Sequence, residues 1–360
     1  MKLKNVGIVG AIALASALAL SSCSSTPSTS AALAGTITSG GSSAQANAQQ
    51  AWTTAFTATN KGVTVNYDKS QGSGGGVTNF LSGSYDLAGT DSALTSDQVS
   101  SSTSVCGAGG AIDLPVYLSG VAIIFNLPGV TKLNLDSATI ANIFNKKITK
   151  WNDPAITALN PGATLPSDKI TPVVRSDGSG TTANFTTYLS QTQSSLWTYP
   201  VSTAWPVTNE SAQQGGSGVV ATVAAGKDTI GYADQSSVGT ATQASIQLGT
   251  TGTTFNAYSA AGATEAFKEA AKAAPSGKGD LTQDLQYTAI SGTGAYPIPL
   301  LSYDVVCTHL KSSKQAALAK AYLSFIVSAT GQAVAAKNAG SAPLPANILS
   351  EDVASLKLVK

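Results

Sequence analysis

An α/β fold in two lobes is predicted by three features of the sequence. The chain has 360 residues, beyond the size at which a single hydrophobic core usually stops growing. Short β-type runs alternate with stretches of helical periodicity. One construction, a strand followed by a Gly/Ser-rich turn and then a helix, occurs three times.

The elements follow in order. At the N-terminus Lys2 and Lys4 precede the apolar "VGIVGAIALASALAL" and then "LSSC", ending at Cys23, the layout of a bacterial export signal with a lipobox. The apolar run of ~16 residues is short of the roughly 20 a membrane span needs. Residues 1–22 are thus expected to be removed, leaving Cys23 lipidated and residues 23–34, "CSSTPSTSAALA", as a polar tether. "GTIT" is the first strand, and "SGGSS" turns into a helix with Ala44, Ala48, Trp52, Ala55 and Phe56 on one face. "VTVNY" leads through "DKSQGSGGG" into Val77, Phe80 and Leu81, and "ITPVVR" leads through "SDGSGTT" into Phe185, Tyr188 and Leu189. "SGVVATVAAG" reads as a helix ended by Gly226 with "TIGYA" as the next strand. "IPLLSYDVVCT" is a buried strand, and the segment from Lys314 carries C-terminal helices with Leu318, Tyr322, Phe325 and Ile326 inward.

A helix N-terminus presents unpaired N–H groups and about half a positive charge, so three converging ones would make an anion site. Glycine admits close backbone approach and hydroxyls add neutral donors. Arg175 would contribute the full charge and a planar fork suited to a tetrahedral oxyanion, with Asp177 as its partner. Taken singly, Ser43, Ser73 and Ser179 also fit as ordinary helix caps, and Arg175 with Asp177 as a surface ion pair.

Other chemistries find little support. With 20 basic and 19 acidic residues, and charged residues at only 11%, the chain lacks the basic character of a nucleic-acid surface. A Ser–His–Asp triad could use only His309, the sole histidine, and neither a G-x-S-x-G elbow nor a P-loop is present. In an oxidising compartment Cys106 and Cys307 are expected to pair; the competing reading, a metal site of Cys106, Cys307 and His309, has poor zinc spacing.

In combination, "YDLAGTDSAL", "GSGGG", "VVRSDGSGTT", "TVAAGKDTIGYAD", "YPIPLL" and "SAPLP" resemble the phosphate-specific solute-binding proteins of bacterial ABC importers, the PstS family, over nearly the whole exported chain. The resemblance implies a class II periplasmic-binding-protein fold, with a mixed sheet in each lobe and a hinge between. Residues 35–114 plus 295–360 would form lobe I and residues 115–294 lobe II, with Cys106 and Cys307 both in lobe I. The implied ligand set is Ser43, Ala44, Ser73, Asp91, Arg175, Ser179, Gly180 and Thr181, with Asp177 orienting Arg175. Ala44 replaces a larger residue common in relatives, and an extra residue before Gly72 leaves Gly74 as the alternative to Ser73.

The implied function is binding of phosphate outside the membrane and delivery to an ABC permease by a monomer anchored through Cys23. Arsenate would compete, and no cofactor, metal or catalytic residue is required. Asp91 would accept the proton that phosphate retains and sulfate lacks; it also fits as an N-cap before "SALTSDQV". The rivals are an exported serine hydrolase or phosphatase-like enzyme, and a binder of sulfate, molybdate or tungstate.

Overall fold

The computed structural model describes residues 32–209 and 211–360. The export signal, Cys23 and the tether up to residue 31 lie outside the described residues. The predicted alternation opens the fold: β1 (Ala34–Gly41), α1 (Ala46–Thr59), β2 (Gly62–Asp68), α2 (Gly72–Leu81), β3 (Leu87–Thr90) and α3 (Ser96–Cys106). α1 buries Ala48, Trp52 and Phe56, one apolar face at four-residue spacing. α3 starts from a capping box in which the Thr95 hydroxyl accepts from Gln98 N and the Gln98 side chain accepts from Thr95 N. Asp91 therefore does not cap this helix, which disposes of that alternative reading.

β4 (Ala111–Asn126) follows, buried at every residue but the last, as expected of a strand covered on both faces. The middle of the chain comprises β5 (Asn134–Leu135), α4 (Ser137–Phe144), α5 (Pro154–Leu159), β6 (Thr171–Arg175), α6 (Gly180–Thr192), β7 (Ala212–Gln213), α7 (Gly215–Ala225), β8 (Thr229–Asp234) and α8 (Gln235–Val238). Short strands β9 (Thr242–Gln243), β10 (Ser245–Gln247) and β11 (Phe255–Asn256) precede α9 (Ala260–Ala270), β12 (Ala271–Ala273) and β13 (Gln283–Leu285). The chain ends with β14 (Pro299–Cys307), α10 (Ser313–Ile326), α11 (Ala329–Ala339) and α12 (Ala346–Ser355).

The main sheet runs β2-β1-β3-β14-β4-β8-β6-β7, with β9 also on β4. β4 divides it. From Ala111 to Gly120 it pairs antiparallel with β14, and from Val121 to Asn126 with β8, so one strand belongs to both lobes. At the changeover a Cβ on Gly120 would stand 2.7 Å from the Tyr258 ring and 2.8 Å from that of Tyr296; only glycine lets both rings close over the crossing. Parallel pairing of β1 with β2 and β3, and of β6 with β7 and β8, brings the strand ends that feed α1, α2 and α6 toward the cleft, where α/β sheets place ligands.

Cys106 and Cys307 form a disulfide, Cα–Cα 4.9 Å, across 201 residues of chain. With both sulfurs so engaged, the metal reading that used them fails. The β12–β13 hairpin touches elements of both lobes: Leu281 N is bonded to Asp113 O (3.0 Å) and Asp113 N to Asp280 Oδ1 (2.9 Å), while Leu285 O accepts from Gln191 of α6 (2.9 Å). On the β4 side the hairpin is held by the backbone N–H and C=O of Asp113, which meet the Asp280 carboxylate and Leu281 N, a long-range contact with no local sequence signature.

Buried carboxyl groups give the fold an unusual pH response. Burial, reinforced by the charge of Asp280, pushes Asp113 up to about 8. Burial raises Asp304 to about 7 despite bonds from Gln49, and Asp352, without a hydrogen-bond partner, to about 8. These groups bind protons more tightly folded than unfolded. Their contribution is complete below the unfolded carboxyl range near pH 4 and is lost as pH rises through 7 to 8, by up to about 1.4 kcal/mol per group per pH unit. Asp68 and Asp177, both lowered, act oppositely but only at still lower pH. Thermal melts in phosphate-free buffer should therefore show a Tm several degrees higher at pH 5.5 than at pH 8; a Tm that falls on acidification would contradict this assignment.

Candidate functional site

Three strand-to-helix junctions and the end of β3 meet between the lobes. At the first, the chain turns after Gly41, and Ser42, not Ser43, serves the start of α1: its Oγ accepts from Ala44 N (3.1 Å) and Gln45 N (3.3 Å). Ser43 instead faces the other lobe, its Oγ accepting from Gly216 N at the start of α7 (3.2 Å). At the second, Ser73 sits inside the first turn of α2, 2% exposed, and its Oγ accepts from Asp91 N (3.2 Å). Neither Ser43 nor Ser73 is a cap. Gly74 N is taken by Gly178 O across the cleft (2.8 Å), which leaves the Ser73 hydroxyl as the better placed of the two alternatives.

The third junction follows β6. Arg175, its side chain 2% exposed, grips Asp177 with both arms of its fork: Nε donates to Oδ1 (2.7 Å) and Nη2 to Oδ2. Asp177 Oδ1 also accepts from Gly215 N (3.1 Å). Burial works to raise Asp177, but the bond and charge of Arg175 outweigh it and hold the carboxyl below its usual range. Ser179 is the N-cap of α6, its Oγ accepting from Thr182 N (3.1 Å), so here the cap reading holds. A Cβ on Gly180 would stand 2.7 Å from both Asp91 Cβ and Ser73 Oγ. Glycine is what allows the first turn of α6 to reach the facing lobe.

Asp91 is the meeting point. The residue is 3% exposed, and its carboxylate accepts from Ser42 and Ser302 (2.6 Å) at Oδ1 and from Thr181 (3.0 Å) at Oδ2. Burial raises its pKa, while the hydroxyls of Ser302, Ser42 and Thr181 and the charge of Arg175 pull it back, leaving a net rise. An ionised carboxylate has about four acceptor positions, so one remains beyond these three hydroxyls. One cation and two acids in a buried site give a negative formal sum, so helix N-termini and hydroxyl dipoles must supply much of any grip on an anion.

The lobes are closed on one another. Besides the bonds at Asp91 and Gly74, Asn47 Nδ2 donates to Ser236 O (2.7 Å), Ser236 Oγ to Ala44 O (3.1 Å) and Gln214 Nε2 to Ser70 O (2.7 Å). Among the described residues nothing assembles a triad: His309 is exposed just after β14, beside Thr308, and Ser179 Oγ accepts the capping bond of α6.

A family model described as the PBP superfamily domain matches residues 26–330. Phosphate-binding protein PstS 3 of Mycobacterium tuberculosis is 33% identical over 362 aligned positions, covering 96% of each chain. The chain belongs to the PstS family. The same two-lobed architecture is seen in the phosphate-binding protein of Stenotrophomonas maltophilia (TM-score 0.68, 19% identity, 89% of this chain and 94% of that one). It is seen again in a high-affinity periplasmic phosphate-binding protein, PfluDING, solved with phosphate at pH 8.5 (TM-score 0.70, 21% identity, 88% and 92%). PstS proteins are binding components of transporters and not enzymes.

Within this PstS chain, sequence reasoning passes over Ser42, Ser302 and Asn184. Ser42 was one residue from the serine chosen in "SGGSS". Ser302 has a signal, a small polar residue within the largely apolar "PLLSYDVVC". Asn184 has a weaker one, an amide next to the apolar Phe185 in the helix that follows the arginine loop.

Proposed function

We propose that this chain binds inorganic phosphate between its lobes, outside the cytoplasmic membrane, and delivers it to the transmembrane subunits of an ABC permease. Asp91 carries the reading: the carboxylate of a residue 3% exposed beside Arg175 in an anion site is useful only if the anion brings a proton. Monohydrogen phosphate donates that proton to the remaining acceptor position of Asp91. With one edge of its guanidinium held by Asp177, Arg175 offers the remaining N–H groups of Nη1 and Nη2 to two other oxygens. Ser43, Ser73 and Ser179 contribute hydroxyl protons, Gly180 and Thr181 the N–H groups at the start of α6, and Ala44 its N–H once the ligand draws it from Ser42 Oγ. Arsenate, protonated and tetrahedral, competes at the same place.

Residues 35–114 with 295–360, and 115–294, act as the two lobes, a division supported by the change of partner along β4. Closure over phosphate creates the shape the permease receives. The chain works as a monomer leashed through a palmitate-bearing diacylglyceryl group on Cys23, after removal of the signal peptide, residues 1–22; the "LSSC" sequence supports this anchor. Equilibrium dialysis against labelled phosphate should give one saturable site per chain, displaced by arsenate, and Cys23→Ala should release the protein from membranes. Absence of saturable phosphate binding would refute the function, and membrane retention of the Cys23→Ala protein the anchor.

A further inference from the structure

We infer that Asn184, oriented by Tyr287, is a positioning residue that fastens the closed lobes behind the ligand and sets how slowly phosphate leaves. The inference rests on the phosphate reading above but concerns a residue outside the ligand set. Asn184 lies one turn into α6 and is 8% exposed. Its Nδ2 donates both to Gly180 O, in its own helix (3.0 Å), and to Asp91 O, in the opposite lobe. The two amide protons match two carbonyls, one from each side of the cleft. The amide orientation is fixed in turn, because Oδ1 accepts from the Tyr287 hydroxyl (3.1 Å).

Tyr287 joins α6 to the first-lobe strand β14, its hydroxyl also donating to Pro299 O (3.3 Å). Its N–H donates to Gln191 Oε1 (2.7 Å), Gln191 Nε2 donates to Leu285 O (2.9 Å), and its ring packs edge-on against Tyr188 at 5.7 Å. Asn184 is thus oriented by a residue anchored to both α6 and β14, and its own bond to Asp91 O crosses the cleft. With Asp91 N held by Ser73 (3.2 Å), both ends of this residue are clamped while its carboxylate meets the ligand. Opening must break a buried hydrogen bond of the Asn184 amide and strand the carbonyl of Asp91, a cost that falls on dissociation rather than encounter.

The test is stopped-flow release of inorganic phosphate from the wild-type chain, Asn184→Leu and Tyr287→Phe, with melting curves of the ligand-free proteins alongside. Asn184→Leu should raise koff by about tenfold or more with kon changed by less than about threefold. Tyr287→Phe should shift koff the same way by less, and the preference for phosphate over sulfate should persist in both, because the Asp91 carboxylate is untouched. Release at the wild-type rate in both variants would overturn the inference, as would a lowered ligand-free Tm with koff unchanged. A wild-type chain that fails to bind phosphate would overturn the functional reading instead.

Discussion

Arg175→Ala should weaken phosphate binding by about 10²–10³-fold, in line with the 2–5 kcal/mol typical of truncating one partner of a buried, hydrogen-bonded charge pair. Two effects add. The anion loses the one full positive charge and planar fork in the site, and Asp177, now without its partner (Arg175 Nε to Oδ1, 2.7 Å), faces the ligand as an uncompensated acid. Arg175→Lys should recover part of the loss, since the charge returns but not the bidentate geometry. Binding isotherms for the three proteins decide it, with circular dichroism confirming the fold. A loss of less than about threefold in Arg175→Ala would mean that the helix dipoles hold the anion without the arginine.

Asp91→Asn should reduce the preference for phosphate over sulfate by at least about tenfold, mostly through a gain in sulfate binding. The amide is nearly the same size, removes the negative charge that repels a fully ionised dianion, and supplies an N–H donor where the acid supplied an acceptor. Acid should act on the wild-type protein in the same direction. Burial already biases Asp91 toward its neutral form against the hydroxyls of Ser302, Ser42 and Thr181, so protonation on lowering the pH turns it into a donor and relaxes sulfate exclusion. Competition titrations on both proteins measure the ratio; a preference in Asp91→Asn equal to wild type would remove Asp91 from the discrimination.

The strand, turn and helix junctions were legible in the sequence because their signals are local. Glycines mark where backbone must come close, and the apolar spacing of Trp52 and Phe56, or of Phe185 and Leu189, marks the helices that follow. What the sequence could not resolve depends on distant partners or on one residue of backbone rotation. Ser42 and Ser43 are adjacent and chemically identical, and only the path after Gly41, with φ 131°, turns one toward Asp91 and the other toward Gly216. The bonds from Ser302 and Asn184 to Asp91 span 211 and 93 residues, beyond any periodicity. The placement of the β12–β13 hairpin beside β4 depends likewise on the backbone of Asp113 meeting the Asp280 carboxylate, a contact that nothing in their neighbourhoods marks. Asp91 was implied only by the family resemblance, and its hydroxyl cage became apparent once β14 was laid beside β3.

The central claim, that a buried carboxylate selects an oxyanion by its proton, is tested most directly by paired calorimetric titrations of the wild-type chain with phosphate and with sulfate at pH 8. The account predicts one phosphate bound per chain and no measurable heat of sulfate binding at the same concentrations. Sulfate binding comparable to that of phosphate would contradict it.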